Sequence, residues 1–149
     1  MIHSLGRWLG VVAMLVGLLL FGACSRSSDE EQLRNALATM QQAIEDRKPS
    51  DFMDIVADDF TAPVADMDRR KVHDLLRLHV LRNERIGVAT VVREVRVDEI
   101  RATITMTATL TGSSGVWLPE RASIYTVTTG WRREGSDWQL VQATWNRSL

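Results

Sequence analysis

The sequence predicts an α+β domain, with helices first and an antiparallel meander after them. Apolar residues recur at helical spacing between Leu33 and Val80, and beyond Ile86 the spacing switches to two. A third observation is the segment Glu134-Gly135-Ser136-Asp137, a turn that separates two runs of strand-like alternation.

Ser28-Asp29-Glu30-Glu31 reads as a capping box, in which the Ser28 hydroxyl accepts from a free helix N–H and Glu31 reaches back. Leu33, Ala36, Leu37, Met40, Ala43 and Ile44 then form one apolar stripe, until Lys48-Pro49 stops the helix. Ser50 is expected to cap a short second helix carrying Phe52, Ile55 and Val56. Asp58-Asp59 is expected to be the polar turn at its end, leading Phe60 into the core. Asp66 or Asp68 caps a third helix with Val72, Leu75, Leu76, His79 and Val80 on one side, ending near Asn83.

Val88 to Val97 is rich in β-branched residues and reads as a strand. Ile100, Ala102, Ile104, Met106, Ala108 and Leu110 alternate with Arg101 and the threonines 103 to 111, giving a second strand with one buried and one wet face. A loop from Gly112 to Pro119 leads into a strand from Arg121 to Arg133. After the turn a last strand runs from Trp138 to Trp145, with Trp131 and Trp138 expected to pack as a cross-strand pair.

This order of elements, with the Ala57-Asp58-Asp59-Phe60 step and the closing hairpin from Gly130 to Trp138, resembles the nuclear transport factor 2-like (cystatin-like, SnoaL-like) superfamily over about residues 29 to 146. The resemblance implies N-terminal helices packed in the concave face of a curved antiparallel sheet, a cone that often holds an apolar pocket. It also implies dimerisation through the sheet as a recurrent arrangement. Enzymes of this family place a carboxylate or a His-Asp arrangement inside the cone for proton transfer.

Ahead of the domain, the apolar run Trp8 to Phe21 spans about 21 Å as a helix, short of a bilayer core of roughly 30 Å, and reads as a signal peptide. Leu20-Phe21-Gly22-Ala23-Cys24 resembles the lipobox of bacterial lipoproteins, although Phe21 stands where an aliphatic residue is usual. The competing reading is an uncleaved signal anchor with an incidental cysteine. The organisation expected is a signal peptide over 1–23, a lipidated Cys24 with a short tether over 24–28, and the domain over 29–149. Ser25 after the cysteine resembles the sorting signal for an outer membrane, with the domain facing the periplasm. A tether of Ser25-Arg26-Ser27 reaches only about 10 Å.

Cys24 is the only cysteine, which removes disulfides, thiol catalysis and cysteine metal sites from the mature chain. With 18 basic and 19 acidic residues the net charge is −1, and the basic pairs are scattered, so nucleic-acid binding has no electrostatic footprint. No cofactor is expected. His73 and His79 lie about 240° apart around a helix and cannot share a metal.

The candidate catalytic groups are Asp59, beside Asp58, and His79 with Tyr125, the only tyrosine. Each has a structural alternative: a polar turn for the Asp pair, and a hydrogen-bonded core position for His79. The candidate contact residues are Trp117, Tyr125, Trp131 and His79. Trp117 sits between Val116 and Leu118 in a loop that can meet lipid, meet a partner, or fold down as a lid. Arg93, Arg96, Arg101, Arg121, Arg132 and Arg133 read as a solvated sheet face, or alternatively as a site for an anionic ligand. The expected function is a membrane-anchored, non-catalytic module that binds a small apolar ligand or an envelope protein. A cyclase- or isomerase-type enzyme and a structural accessory subunit are the other two classes.

Overall fold

The structure is a computed structural model that describes residues 28–113 and 121–148. Helix α1 (28–45) is followed by α2 (Pro49–Met53), β1 (Val56–Ala62), a 3-10 turn (Pro63–Ala65), β2 (Met67–Asp68), α3 (Arg69–Arg82), β3 (Arg85–Asp98), β4 (Arg101–Ser113), β5 (Arg121–Glu134) and β6 (Asp137–Arg147). One six-stranded sheet has the order β2-β1-β6-β5-β4-β3. The α+β class stands, and the expected antiparallel sheet proves to be mixed, because β1 runs parallel to β6.

That added strand corrects the reading of Asp58-Asp59. The pair is not a helix-ending turn: it lies within β1, whose residues Val56, Ala57, Phe60 and Ala62 are buried while Asp58, Asp59 and Thr61 are exposed. Ser50 also misses its expected role, because Pro49 opens α2 and no side chain caps it. Asp68 does cap α3, its carboxylate accepting from Lys71 N at 2.8 Å, and Asn83 ends that helix. Ile100 belongs to the β3–β4 turn and is exposed, and Leu75 faces outward, so neither joins the core.

Strand pairing arranges the concave face in rows. Val97, Ala102, Trp131 and Leu140 lie across from one another, then Val95, Ile104, Thr129 and Ala143, then Val92, Met106, Val127 and Trp145, then Thr90, Ala108, Tyr125 and Arg147. Burial falls along that series. The first two rows, together with Leu33, Met40, Met53, Phe60 and Trp138, make the apolar core, while Ala108 and Tyr125 are only half-buried.

Trp131 and Trp138 are both buried but are not partners across the ladder. The two-residue turn pairs Glu134 with Asp137, which puts Trp138 opposite Arg133 and Trp131 opposite Leu140. They are diagonal neighbours on one face. The guanidinium carbon of Arg133 lies 4.8 Å from the Trp138 ring centroid, and the same side chain forms an ion pair with Asp29. Arg133 N also donates to Ile100 O at 2.8 Å. The start of α1, the β5–β6 turn and the β3–β4 turn therefore share one end of the cone, called here the hairpin end.

The opposite end, the mouth, lies eleven residues further along β4, from Arg101 to Gly112, which is roughly 36 Å at 3.3 Å per residue. Arg47, held at φ 61, closes α1 there by donating to Val80 O, Asn83 O and Glu84 O at 2.6 to 2.9 Å, which supplies the unsatisfied carbonyls at the end of α3. Along the outer edge of β3, Glu45 accepts from Val88 N at 3.1 Å, and Gln41 accepts from the Thr90 hydroxyl at 3.2 Å.

Candidate functional site at the mouth of the cone

Two of the sequence candidates, His79 and Tyr125, lie toward the mouth. His79 faces inward from α3, and Asn83, one turn later, holds it: Asn83 Nδ2 donates to His79 O at 2.9 Å and lies 3.4 Å from His79 Nδ1. This placement requires a glycine on β4. A Cβ at Gly112 would come within 2.6 Å of Asn83 Oδ1, so only Gly lets the amide lie against the strand. Among the described residues His79 Nε2 is buried without a hydrogen-bond partner, as are Arg133 Nε and Trp138 Nε1 at the hairpin end. Tyr125 stands on the same concave face, in the row of Thr90, Ala108 and Arg147, and no hydrogen bond joins it to His79 among the described residues.

Asp59 is elsewhere. It sits on the outer side of β1 in a cleft of about 440 Å³ with Asp54, Asp58, Arg69, Arg132 and Glu134. Arg132 donates to both Asp59 oxygens at 2.9 and 3.0 Å and to Glu134 as well. Hydrogen bonding to that guanidinium holds the Asp59 carboxyl below its usual range and raises the pKa of Arg132 further. A carboxylate so stabilised is a weak proton acceptor near neutral pH. Arg69 is equally committed, donating to Met53 O and Val56 O at 3.0 and 3.3 Å.

Among the described side chains, Arg93, Arg96, Arg132 and Arg133 do not converge on an anion site. Arg93 donates to Thr107, Arg96 to Glu94, and Arg132 and Arg133 face Asp59 and Asp29. Trp131 is a core residue, and its indole N–H donates to the Thr129 hydroxyl at 2.8 Å. Trp117 and Cys24 lie outside the described residues. Among the described residues no group of His, Cys, Asp and Glu is placed to hold a metal, and no helix is long and apolar enough to cross a membrane.

The sequence pointed to His79 but missed Asn83 and Gly112. A helix-terminal Asn four residues after a histidine was the available signal; its pairing with a glycine 29 positions later was not. That step is tertiary.

No family model matches the sequence, and no curated protein matches it either. Solved structures do match. A dehydratase candidate of the nuclear transport factor 2-like family from Streptomyces avermitilis aligns at 20% identity with a TM-score of 0.68, covering 83% of this chain and 99% of that one. The hexachlorocyclohexane dehydrochlorinase LinA-type3 from Novosphingobium barchaimii aligns at 12% identity and a TM-score of 0.68, covering 83% and 89%. Bd1075 from Bdellovibrio bacteriovorus aligns at 11% identity and 0.68, over 78% of this chain, which spans only 41% of that protein. The chain has the nuclear transport factor 2-like fold.

Proposed function

We propose that the chain is an envelope lipoprotein, anchored through Cys24, whose domain binds a small and largely apolar ligand in the mouth half of the cone without catalysing a reaction. The observation that carries the ligand reading is His79 Nε2. A buried polar atom without a partner costs about 1–3 kcal/mol, and folded proteins ordinarily supply one. One polar group on an otherwise apolar ligand meets that need. A dehydrochlorinase of the same fold, which by its name acts on hexachlorocyclohexane, supports a small apolar ligand as the class. Catalysis is disfavoured because Asp59 lies outside the cone and is held ionised, leaving His79 without a hydrogen-bonded acid or base among the described residues.

Native mass spectrometry of the protein purified from its own envelope tests the ligand. The wild type is expected to release a small molecule that His79→Ala lacks while keeping a native circular dichroism spectrum. A folded His79→Ala protein that retains the molecule, or a wild type that carries none, rejects the reading. The anchor is tested separately: Cys24→Ser is expected to abolish fatty-acid labelling and leave an unprocessed precursor. Fractionation then tests the outer membrane, which the residue Ser25 supports.

A further inference from the structure

We infer that the outer face of α3 docks on an anionic lipid surface. Val72, Leu76, His79 and Val80 turn this helix toward the domain, and yet no residue of it is fully buried. On the other side Leu75, Leu78 and Leu81 are 53%, 42% and 79% exposed. At 100° per residue, Leu78 and Leu81 lie near the middle of the outer arc, Arg70 and Arg77 along one border, and Lys71, Arg82 and Leu75 along the other. The leucines and the basic residues therefore share one strip of surface.

The charge on that strip argues for the occupant. The helix carries Arg69, Arg70, Lys71, Arg77 and Arg82 against Asp74, a net of 5 − 1 = +4, in a chain whose total is −1. Arg69 is turned inward and Lys71 also pairs with Asp66, but Arg70, Arg77 and Arg82 are exposed and have no ion-pair partner among the described residues. A second copy of the chain would bring two such positive faces together. Lipid phosphates accept the guanidiniums, while the arginine stems and the leucines sink to the headgroup boundary, the arrangement of an interfacial amphipathic helix. Asp74 is the one acid on the arc and falls at its middle, between Leu78 and Leu81 in angle but a turn or more ahead of them along the axis, so contact is confined to the C-terminal half.

Docking in this way lays the cone on its side. The helix reaches along the membrane toward the mouth, where Arg47 holds its last carbonyls. The docking needs neither acylation of Cys24 nor a ligand in the cone, so it stands apart from the reading above.

The test uses the full chain with Cys24→Ser, so that the thiol of Leu81→Cys is the only one, labelled with the environment-sensitive fluorophore nitrobenzoxadiazole. It is reconstituted in vesicles of phosphatidylcholine alone and of an equimolar mixture with phosphatidylglycerol. Vesicle flotation in parallel separates bound from free protein, so the label is read on the bound fraction and reports α3. A blue shift and several-fold stronger quenching by shallow brominated lipid are expected on the mixed vesicles only, reversed by high salt. Arg77→Glu with Arg82→Glu is expected to abolish both, with an unchanged circular dichroism spectrum, and a label at Thr103→Cys is expected to stay aqueous. An aqueous label at position 81 on the mixed vesicles overturns the inference. So does equal burial on neutral vesicles, or burial that follows protein concentration without anionic lipid, which would point to a second copy.

Discussion

The hairpin end and the mouth of the cone are built from the same strands and differ in what their concave rows contain. Toward the hairpin end Ala102, Ile104, Trp131 and Leu140 are buried against α1 and β1. Toward the mouth the rows carry Thr90, Tyr125 and Arg147, and the neighbouring helices bring Gln41, Glu45, His79 and Asn83. The difference separates two tasks. One end supplies apolar burial, and the other is less buried and carries polar side chains, Gln41, Glu45, Thr90 and Asn83 being bonded within the protein.

That division is most strongly tested at Trp131, which is 1% exposed and hydrogen-bonded to Thr129. Trp131→Ala should cost about 3–5 kcal/mol in urea unfolding; a loss under about 1 kcal/mol would show that the core lies elsewhere. At the mouth, Arg47→Ala removes three hydrogen bonds while keeping a side chain at φ 61, whereas Arg47→Gly removes the same bonds and relaxes the backbone. The glycine variant should therefore be the more stable by about 1 kcal/mol. Tyr125→Phe should change stability by less than about 0.5 kcal/mol but weaken retention of a ligand that reaches its hydroxyl. A large stability loss there would make the mouth part of the core.

The smallest effect concerns pH, and it belongs to the exposed polar cleft. Asp59 titrates below its ordinary value of 3.8 because of Arg132, and Asp68 does so because of the Lys71 backbone N–H. A depressed carboxylate contributes stability that is present above its unfolded pKa and is lost as pH falls through the folded one. Stability should thus decline below about pH 4. In Arg132→Ala the Asp59 carboxyl should titrate closer to 3.8, as read by carbon NMR. An unchanged titration would show that the guanidinium is not the cause.

Much of this was legible in the residues. Helical spacing found α1 and α3 because their inward stripes are local, and period two found β4 because its threonine face is regular. The parallel pairing of β1 with β6 was not legible: its residues meet across about eighty positions, and its burial pattern places two aspartates side by side on the exposed surface. Leu75 was misread because it stands at the border of the inward arc, where spacing alone does not decide. The Trp131 and Trp138 register could have been counted from the two-residue turn. For the site, His79 was visible as a polar residue in an apolar stripe, whereas the amide that holds it depends on how closely Asn83 approaches Gly112.

The contact between Asp29 and Arg133 also sets how the domain takes mechanical force. A pull on the chain ahead of residue 28 reaches the first turn of α1, which alone would peel from its N-terminus one hydrogen bond at a time. Because Asp29 is tied to Arg133, and Arg133 is bonded to Ile100 and lies over Trp138, the tension passes into the ends of two hairpins. Unwinding of the helix beyond Asp29 has to part the ion pair. Strain on the leading segment is thereby kept away from the mouth.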